Sequence, residues 1–165
     1  MLLPHTATDH MSMGSEAGRA DSGDRALNTV LERLTDPDPR VRALAADEAS
    51  DYVRGGISGQ AATETAVAKL VAAAVADDED SVREAALHAC HEAVSHHDLP
   101  LALFDPLVPL MPRLPAELIG YVLTILGATH DPAARPIIAS YANHPNRSVR
   151  AEAAEALVEL AGRSS

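Results

Sequence analysis

The sequence predicts an all-α fold, a solenoid of about four stacked antiparallel helix pairs. Three observations support this prediction: apolar residues recur at helical spacing, a segment repeats along the chain, and only 2% of the residues are aromatic. The core must therefore be built from Ala, Leu, Val and Ile. Such small side chains let helices approach closely, which suits a stack of helix pairs.

The repeat becomes visible when three segments of the chain are laid against one another. The dipeptide Val-Arg then coincides at Val41-Arg42, Val82-Arg83 and Val149-Arg150. The first separation is 41 residues and the second is 67, which leaves room for one degenerate repeat between them. Residues 115–126 fill that gap, with Leu118 in the valine position.

The repeat register predicts the domain organisation. Residues 1–23 have no apolar period and are predicted to be a flexible tail, while residues 24–165 are predicted to form the solenoid domain. The first helices of the pairs are expected at 24–34, 61–76, 100–112 and 132–142. The second helices are expected at 39–54, 80–95, 115–127 and 147–162.

Start and stop signals support these bounds. Proline is tolerated at the first helical position, and it occurs there in Asp38-Pro39, Leu114-Pro115 and Asp131-Pro132. Asp80 and Asn146 are expected to cap the other two second helices. The second helix of the first pair is expected to end at Gly55-Gly56, where glycine tolerates a left-handed turn.

Three prolines make the first helix of the third pair irregular. Pro106, Pro109 and Pro112 each remove a helical hydrogen bond, so this helix is expected to be kinked or split at Asp105-Pro106. Such a break could be a hinge, or an ordinary proline kink of a first helix.

Residues 130–161 resemble a complete bacterial HEAT-like repeat of the kind also found in phycobilisome lyases. The matching features are Asp131-Pro132, Pro136, Val149-Arg150, Ala153-Ala154 and Ala156-Leu157. The resemblance implies a right-handed α-α superhelix that serves mostly as a protein-binding scaffold. Some relatives of this type are chromophore lyases, metal-dependent hydroxylases or DNA glycosylases, so fold alone does not decide function.

HEAT repeats also share an acidic turn residue followed by an arginine, and Asp36/Arg42 and Asp77/Arg83 match that pattern. A turn carboxylate bridged to arginines of its own and the next repeat would form a ladder along the stack. The third pair lacks both residues, so the ladder should be interrupted there.

The balance of charges indicates which partners fit. The formal net charge is −11, which repels duplex nucleic acid and favours a basic protein partner or simply solubility. Cys90 is the only cysteine, so no intrachain disulfide is possible, and no secretory or membrane-spanning segment is recognised. A cytoplasmic protein is therefore expected.

The second helices carry a polar stripe when their repeats are aligned. In a HEAT-like stack these helices line the concave face, so the stripe predicts an acidic partner-binding groove with Tyr121 near its middle. The alternative is the ordinary solvated face of amphipathic helices. The predicted partner-binding residues are Asp47, Asp51, Glu84, His88, Glu92, Tyr121, Glu152, Glu155 and Glu159.

Catalytic chemistry has few candidates. His88, His91 and Glu92 can converge on one helix face, but a metal centre needs ligands from further helices, so no metal site or cofactor is predicted. Cys90 falls in a core column, where a thiol behaves as a small hydrophobe rather than a nucleophile. Residues 55–60 lack the end of a phosphate-binding loop.

These observations favour a non-catalytic protein-interaction scaffold that binds a basic partner through its acidic face, for example an inhibitor or immunity protein. The alternative is an enzyme or enzyme subunit, either a metal-dependent hydroxylase or a lyase-like accessory protein.

Overall fold

A computed structural model describes residues 13–55 and 59–162, and every regular element within these ranges is a helix. The first pair consists of α1 and α2, the second of α3 and α4, the third of a long 3₁₀ helix and α5, and the fourth of α6 and α7. Their bounds are α1 (Met13–Glu32), α2 (Pro39–Arg54), α3 (Gln60–Ala76), α4 (Asp80–His96), the long 3₁₀ helix (Leu101–Arg113), α5 (Ala116–Ala128), α6 (Arg135–Ala139) and α7 (Arg147–Gly162).

The helices stack in two layers. In one layer the second helices α2, α4, α5 and α7 each contact the next in chain order. In the other layer α1 contacts α3, and α3 contacts the long 3₁₀ helix. The predicted all-α solenoid of helix pairs is therefore confirmed.

The core lies between these layers and has the predicted composition. Its buried members are mostly Ala, Leu, Val and Ile, joined by Phe104, Met111 and Cys90, which are all fully buried. Because few side chains are large, the helices come close together.

The helix caps follow the sequence signals with three exceptions, one of which is Pro115, the residue before α5 rather than its first residue. The side chains of Asp38, Asp131 and Asn146 each accept a hydrogen bond from a backbone N–H two residues on, as predicted. Asp80 is instead the first residue of α4 and pairs with Arg83 at 3.3 Å. Gly55 ends α2 with φ −73°, so it does not adopt the left-handed turn expected at Gly55-Gly56, while Gly56 lies outside the described residues.

Helix α1 begins at Met13, so the prediction of a tail is wrong for residues 13–23, while residues 1–12 lie outside the described residues. The segment has glycines that weaken a helix, but it contains no proline, and Glu16, Ala17, Arg19 and Ala20 are good helix formers. Apolar periodicity alone does not identify a helix of this kind, because its helix-forming residues do not repeat an apolar face.

The proline-rich segment forms one 3₁₀ helix over Leu101–Arg113, which corrects the predicted break at Asp105-Pro106. A 3₁₀ helix has three residues per turn, so residues three apart share a face. The exposed prolines form one such row, at 106, 109 and 112, and a buried row opposite them consists of Leu101, Phe104, Leu107 and Leu110.

The first helix of the fourth pair is shorter than predicted. A 3₁₀ turn at Pro132–Ala134 leads into α6, and tight turns continue to Ala142. Pro136 near the start of α6 has no N–H to donate, which favours these short turns over a regular α-helix.

The predicted ladder exists in one place and in a different form. Nη1 of Arg42 donates to the turn carbonyls of Asp36 (2.8 Å) and Pro37 (3.1 Å). Its Nε and Nη2 donate to the carboxylate of Asp77 in the next pair, at 2.6 and 3.0 Å. Asp77 is thus bridged to the arginine of the preceding repeat. In the next pair the buried Nε of Arg83 has no hydrogen-bond partner among the described residues, so the ladder stops at the third pair, as predicted.

Candidate partner-binding surface

A recess runs along the layer of second helices, between α4 and α7, with α5 as its floor. The floor lies low between the neighbouring helices because Gly120, Thr124 and Ala128 lie four residues apart on one face of α5 and are all small. Two hollows that share His91, Thr124 and Glu152 form this recess. Its polar lining consists of Glu84, His91, Ser95, Glu117, Tyr121, Thr124, Asn146, Ser148, Glu152, Glu155 and Glu159, and we call it the acidic recess.

Close packing of α5 on α7 positions one wall of the acidic recess. A Cβ atom added to Gly127 would lie 2.8 Å from the carbonyl oxygen of Ala156. A Cβ added to Gly120 would lie 3.2 Å from Cγ of Glu152. The absence of side chains at these glycines therefore brings the carboxylate of Glu152 over the floor.

The carboxylates of the acidic recess have little compensating charge. In the described part of the chain, none of their side chains forms a salt bridge with lysine or arginine. Glu152 accepts a long hydrogen bond from the Thr124 hydroxyl (3.4 Å), and Glu159 lies 2.9 Å from Nε2 of His130. The recess is therefore strongly negative at neutral pH.

His91 lies on the α4 side of both hollows and is half-buried. Burial lowers the pKa of its imidazole, an effect that the neighbouring Glu92 opposes. The ring is therefore mainly neutral at pH 7 and adds a hydrogen-bonding group without offsetting the carboxylates.

The structure brings together one part of the predicted stripe. Glu84, Tyr121, Glu152, Glu155 and Glu159 all line the acidic recess. His88 lies beside it, with its ring edge-on to that of Tyr121 at a centroid distance of 6.4 Å.

The remaining stripe residues lie outside the recess. Asp47 is exposed on α2, and Asp51 pairs with Arg54 at 2.6 Å, which reduces its free charge. Glu92 is half-buried and lies 3.9 Å from His88. Helix α2 is separated from α5 and α7 by α4, so its acids cannot reach the recess.

Sequence reasoning missed several lining residues. Ser95 and Glu117 belong to columns of the repeat that were not assigned to the stripe, and His91 was considered only as a metal ligand. The signal that could have found them is the small column Gly120, Thr124 and Ala128, because a row of small residues lowers the floor and exposes the sides of the neighbouring helices.

The candidates for catalytic chemistry are not supported. Cys90 is fully buried, and burial raises the pKa of its thiol to about 12, so it is not a thiolate at neutral pH. Within the described ranges, no group of three or more His, Cys, Asp or Glu side chains is arranged to hold a metal ion. His96 and His97 instead donate to the carbonyls of Glu92 (2.9 Å) and Val53 (2.6 Å).

The helices of residues 13–55 and 59–162 were also compared with the requirements of a bilayer span, and none is both long enough and apolar enough.

Comparison with known proteins agrees with the architecture. A family model described as HEAT repeats matches residues 12–90. A crystal structure of an engineered protein from the Northeast Structural Genomics Consortium is similar at a TM-score of 0.63 and 18% sequence identity. The match covers 82% of this chain and 62% of the engineered one, so this chain spans about three fifths of its length. No curated protein matches the sequence.

Proposed function

Because this chain carries HEAT repeats, we propose that it is a non-catalytic protein-interaction scaffold whose acidic recess binds a basic segment of another protein. The observation that carries the proposal is the charge of the recess. Its walls present carboxylates from α4, α5 and α7 that no lysine or arginine of the described residues neutralises.

The spacing of the acids on α7 suits such a partner. Glu152, Glu155 and Glu159 lie at i, i+3 and i+7, so they point to one side of the helix. Across the floor, Glu84 comes from α4 and Glu117 from the start of α5. An arginine or lysine side chain between these walls would interact with carboxylates from two sides.

Tyr121 and His88 supply an aromatic edge to the same surface. Tyrosine combines a large apolar ring with a hydroxyl group, which makes it a frequent anchor of protein interfaces. A basic segment in the recess could stack a guanidinium against the Tyr121 ring.

An inhibitor or immunity protein that neutralises a basic effector is one biological form of this function. We propose a cytoplasmic site of action because the single cysteine, Cys90, is a buried free thiol. Nucleic acid is excluded from the proposal since the overall charge of −11 would repel its phosphates. The enzyme alternative gains no catalytic site from the described residues.

The experiment is parallel affinity capture from the source cell with three baits. They are the wild type, a recess variant (Glu152→Lys, Glu155→Lys and Glu159→Lys) and a control variant (Glu32→Lys, Asp78→Lys and Asp105→Lys). Each variant replaces three acidic residues by lysine, so both change the net charge equally. The control acids are exposed and lie outside the acidic recess.

The proposal predicts a basic protein that the wild type and the control variant capture and the recess variant does not. Capture by all three baits, or of acidic partners alone, would rule out the acidic recess as the binding site.

A further inference from the structure

The outer surface of α7 carries a row of exposed apolar residues. Ala151, Ala154, Val158 and Ala161 lie at spacings of three, four and three, which keeps them on one face of the helix. All four are exposed, and Val158 is 73% exposed. We call this row the C-terminal stripe.

In α2 and α5, residues at the corresponding positions lie against a neighbouring helix or are buried. Gly120 and Gly127 of α5 occupy the columns of Ala151 and Val158, and a Cβ atom at either would contact α7. In α2 the corresponding Ala46, Ser50 and Val53 are buried. In α2 and α5 these columns therefore pack against the next second helix, but in α7 no described residue covers them.

The opposite end of the solenoid is built differently. The column that holds the fully buried Ala89 in α4 holds Glu48 in α2, which forms a 2.6 Å salt bridge with Arg33. A polar outer surface is typical of a terminal repeat that nothing stacks upon. Among the described residues, the outer column that holds Glu48 is thus polar at the α2 end, whereas the C-terminal stripe at the α7 end is apolar.

Arg150 supports the same conclusion independently of the apolar residues. Like Arg42, it donates to two turn carbonyls, here those of His144 (2.8 Å) and Pro145 (2.9 Å). Arg42 also forms a salt bridge with the carboxylate of Asp77, which belongs to the following pair. No described carboxylate forms a salt bridge with Arg150, so its guanidinium can accept an acidic partner from outside the described structure.

We propose that the C-terminal stripe is the interface of a two-fold symmetric homodimer in which α7 packs antiparallel against α7 of a second copy. The spacings along the stripe, three, four and three, are the same in both directions, so antiparallel packing places Ala151 opposite Ala161 and Ala154 opposite Val158. Small side chains allow the close approach of two helix backbones. A two-fold interface is closed, because each copy uses the same surface.

Charge complementarity favours this orientation. Arg147 and Arg150 lie in the first turn of α7, whereas Glu155 and Glu159 lie in its second half. Antiparallel packing brings the basic end of each helix towards the acidic half of the other. Head-to-tail packing would instead stack the C-terminal stripe on the capped end that carries Arg33 and Glu48.

One helix face buries less surface than a typical stable interface, so we expect a weak dimer that depends on protein concentration. Sedimentation velocity of the full chain from about 10 μM to about 1 mM covers the relevant range of association. The mass should rise from the monomer value of 17.3 kDa towards twice that value and no further.

The test variant is Val158→Glu, and its matched control is Leu44→Glu. Both residues are exposed apolar residues of second helices, at 73% and 51% exposure, but Leu44 belongs to the capped end of the solenoid. We expect Val158→Glu to lower the association constant at least about tenfold, and Leu44→Glu to leave it unchanged. Ala154→Lys is a second variant of the stripe with the same expected loss.

Three results would overturn the proposal. The wild type could remain at 17.3 kDa over the whole concentration range. Leu44→Glu could weaken association as much as Val158→Glu does, which indicates head-to-tail packing. The mass could also grow beyond the dimer, which indicates an open-ended stack.

Discussion

At the scale of single residues, two glycines of α5 contact α7 with different neighbours. The space at Gly127 is closed by the backbone of Ala156, whose carbonyl oxygen and Cα would lie 2.8 and 3.0 Å from an added Cβ. The space at Gly120 is closed only by the side chain of Glu152. A backbone cannot move aside without shifting the whole helix, whereas a glutamate side chain can change rotamer.

We therefore expect Gly127→Ala to destabilise the protein by about 1–3 kcal/mol through overpacking. Gly120→Ala should change stability by less than about 1 kcal/mol, because the higher helix propensity of alanine offsets a small rearrangement. Urea unfolding of both variants measures the difference. Equal losses would mean that α5 and α7 are not held at the distance described.

The pair of Arg42 and Asp77 is the other residue-scale feature with a measurable consequence. Their side chains are only 18% and 6% exposed, and the guanidinium holds the carboxylate with two hydrogen bonds. Asp77→Asn would leave the charge of Arg42 partly buried without its partner. We expect a loss of about 1–3 kcal/mol, and a smaller one for Asp36→Asn, whose carboxylate does not bind Arg42.

The same pair predicts a pH dependence. The hydrogen bonds from Arg42, and to a lesser degree that from the Glu79 backbone, hold the pKa of Asp77 below its ordinary value of 3.8. A lowered folded-state pKa stabilises the fold above the unfolded pKa, and this contribution is lost as the pH falls through the folded one. The stability gap between wild type and Asp77→Asn should be full at pH 7 and shrink below about pH 4. A gap that persists at low pH would contradict the role of the ionised carboxylate.

At the scale of elements, the bounds of the second helices could be predicted to within about one residue. The repeated Val-Arg dipeptide and caps such as Asp38 mark the same positions as the apolar period does. The start of α1 could not be predicted, since residues 13–23 have no apolar period. The long 3₁₀ helix was misjudged for another reason. Proline breaks an α-helix, but at three-residue spacing Pro106, Pro109 and Pro112 remain on one exposed face of a 3₁₀ helix.

The candidate site shows the same division. Glu152, Glu155 and Glu159 could be predicted from the polar columns of the repeat alone. The depth of the recess could not, because it depends on how closely Gly127 lets α7 approach α5, which is a tertiary property. For that reason Asp47 and Asp51 were assigned to the same groove although α4 separates them from it.

The long 3₁₀ helix provides the element-scale prediction. Its buried row, with Phe104 fully buried, should stabilise it more than its local hydrogen bonds do. Phe104→Ala should cost about 3–5 kcal/mol, whereas Pro109→Ala, at an exposed position, should cost less than about 1 kcal/mol. Thermal or urea unfolding separates these values. A large loss for Pro109→Ala would show that the proline row, rather than the buried row, maintains this helix.

At the scale of the whole molecule, the net charge of −11 is distributed unevenly. Arginines form salt bridges with Asp21, Glu48, Asp51, Asp77 and Asp80, and none of these acids lines the acidic recess. The recess thus holds carboxylates that contribute little to folding. Such groups are available to a partner, because among the described residues their replacement removes no ion pair with lysine or arginine, and only Glu159 loses a salt bridge, with His130.

The most direct test of the account is the affinity of the captured partner for the purified recess variant, in which Glu152, Glu155 and Glu159 are replaced by Lys. We expect binding at low salt to weaken by about 1–3 kcal/mol relative to both the wild type and the control variant, because attraction becomes repulsion. The free energy of unfolding should change by less than about 1 kcal/mol. Unchanged affinity of the recess variant at low salt would contradict the acidic recess as the partner-binding surface.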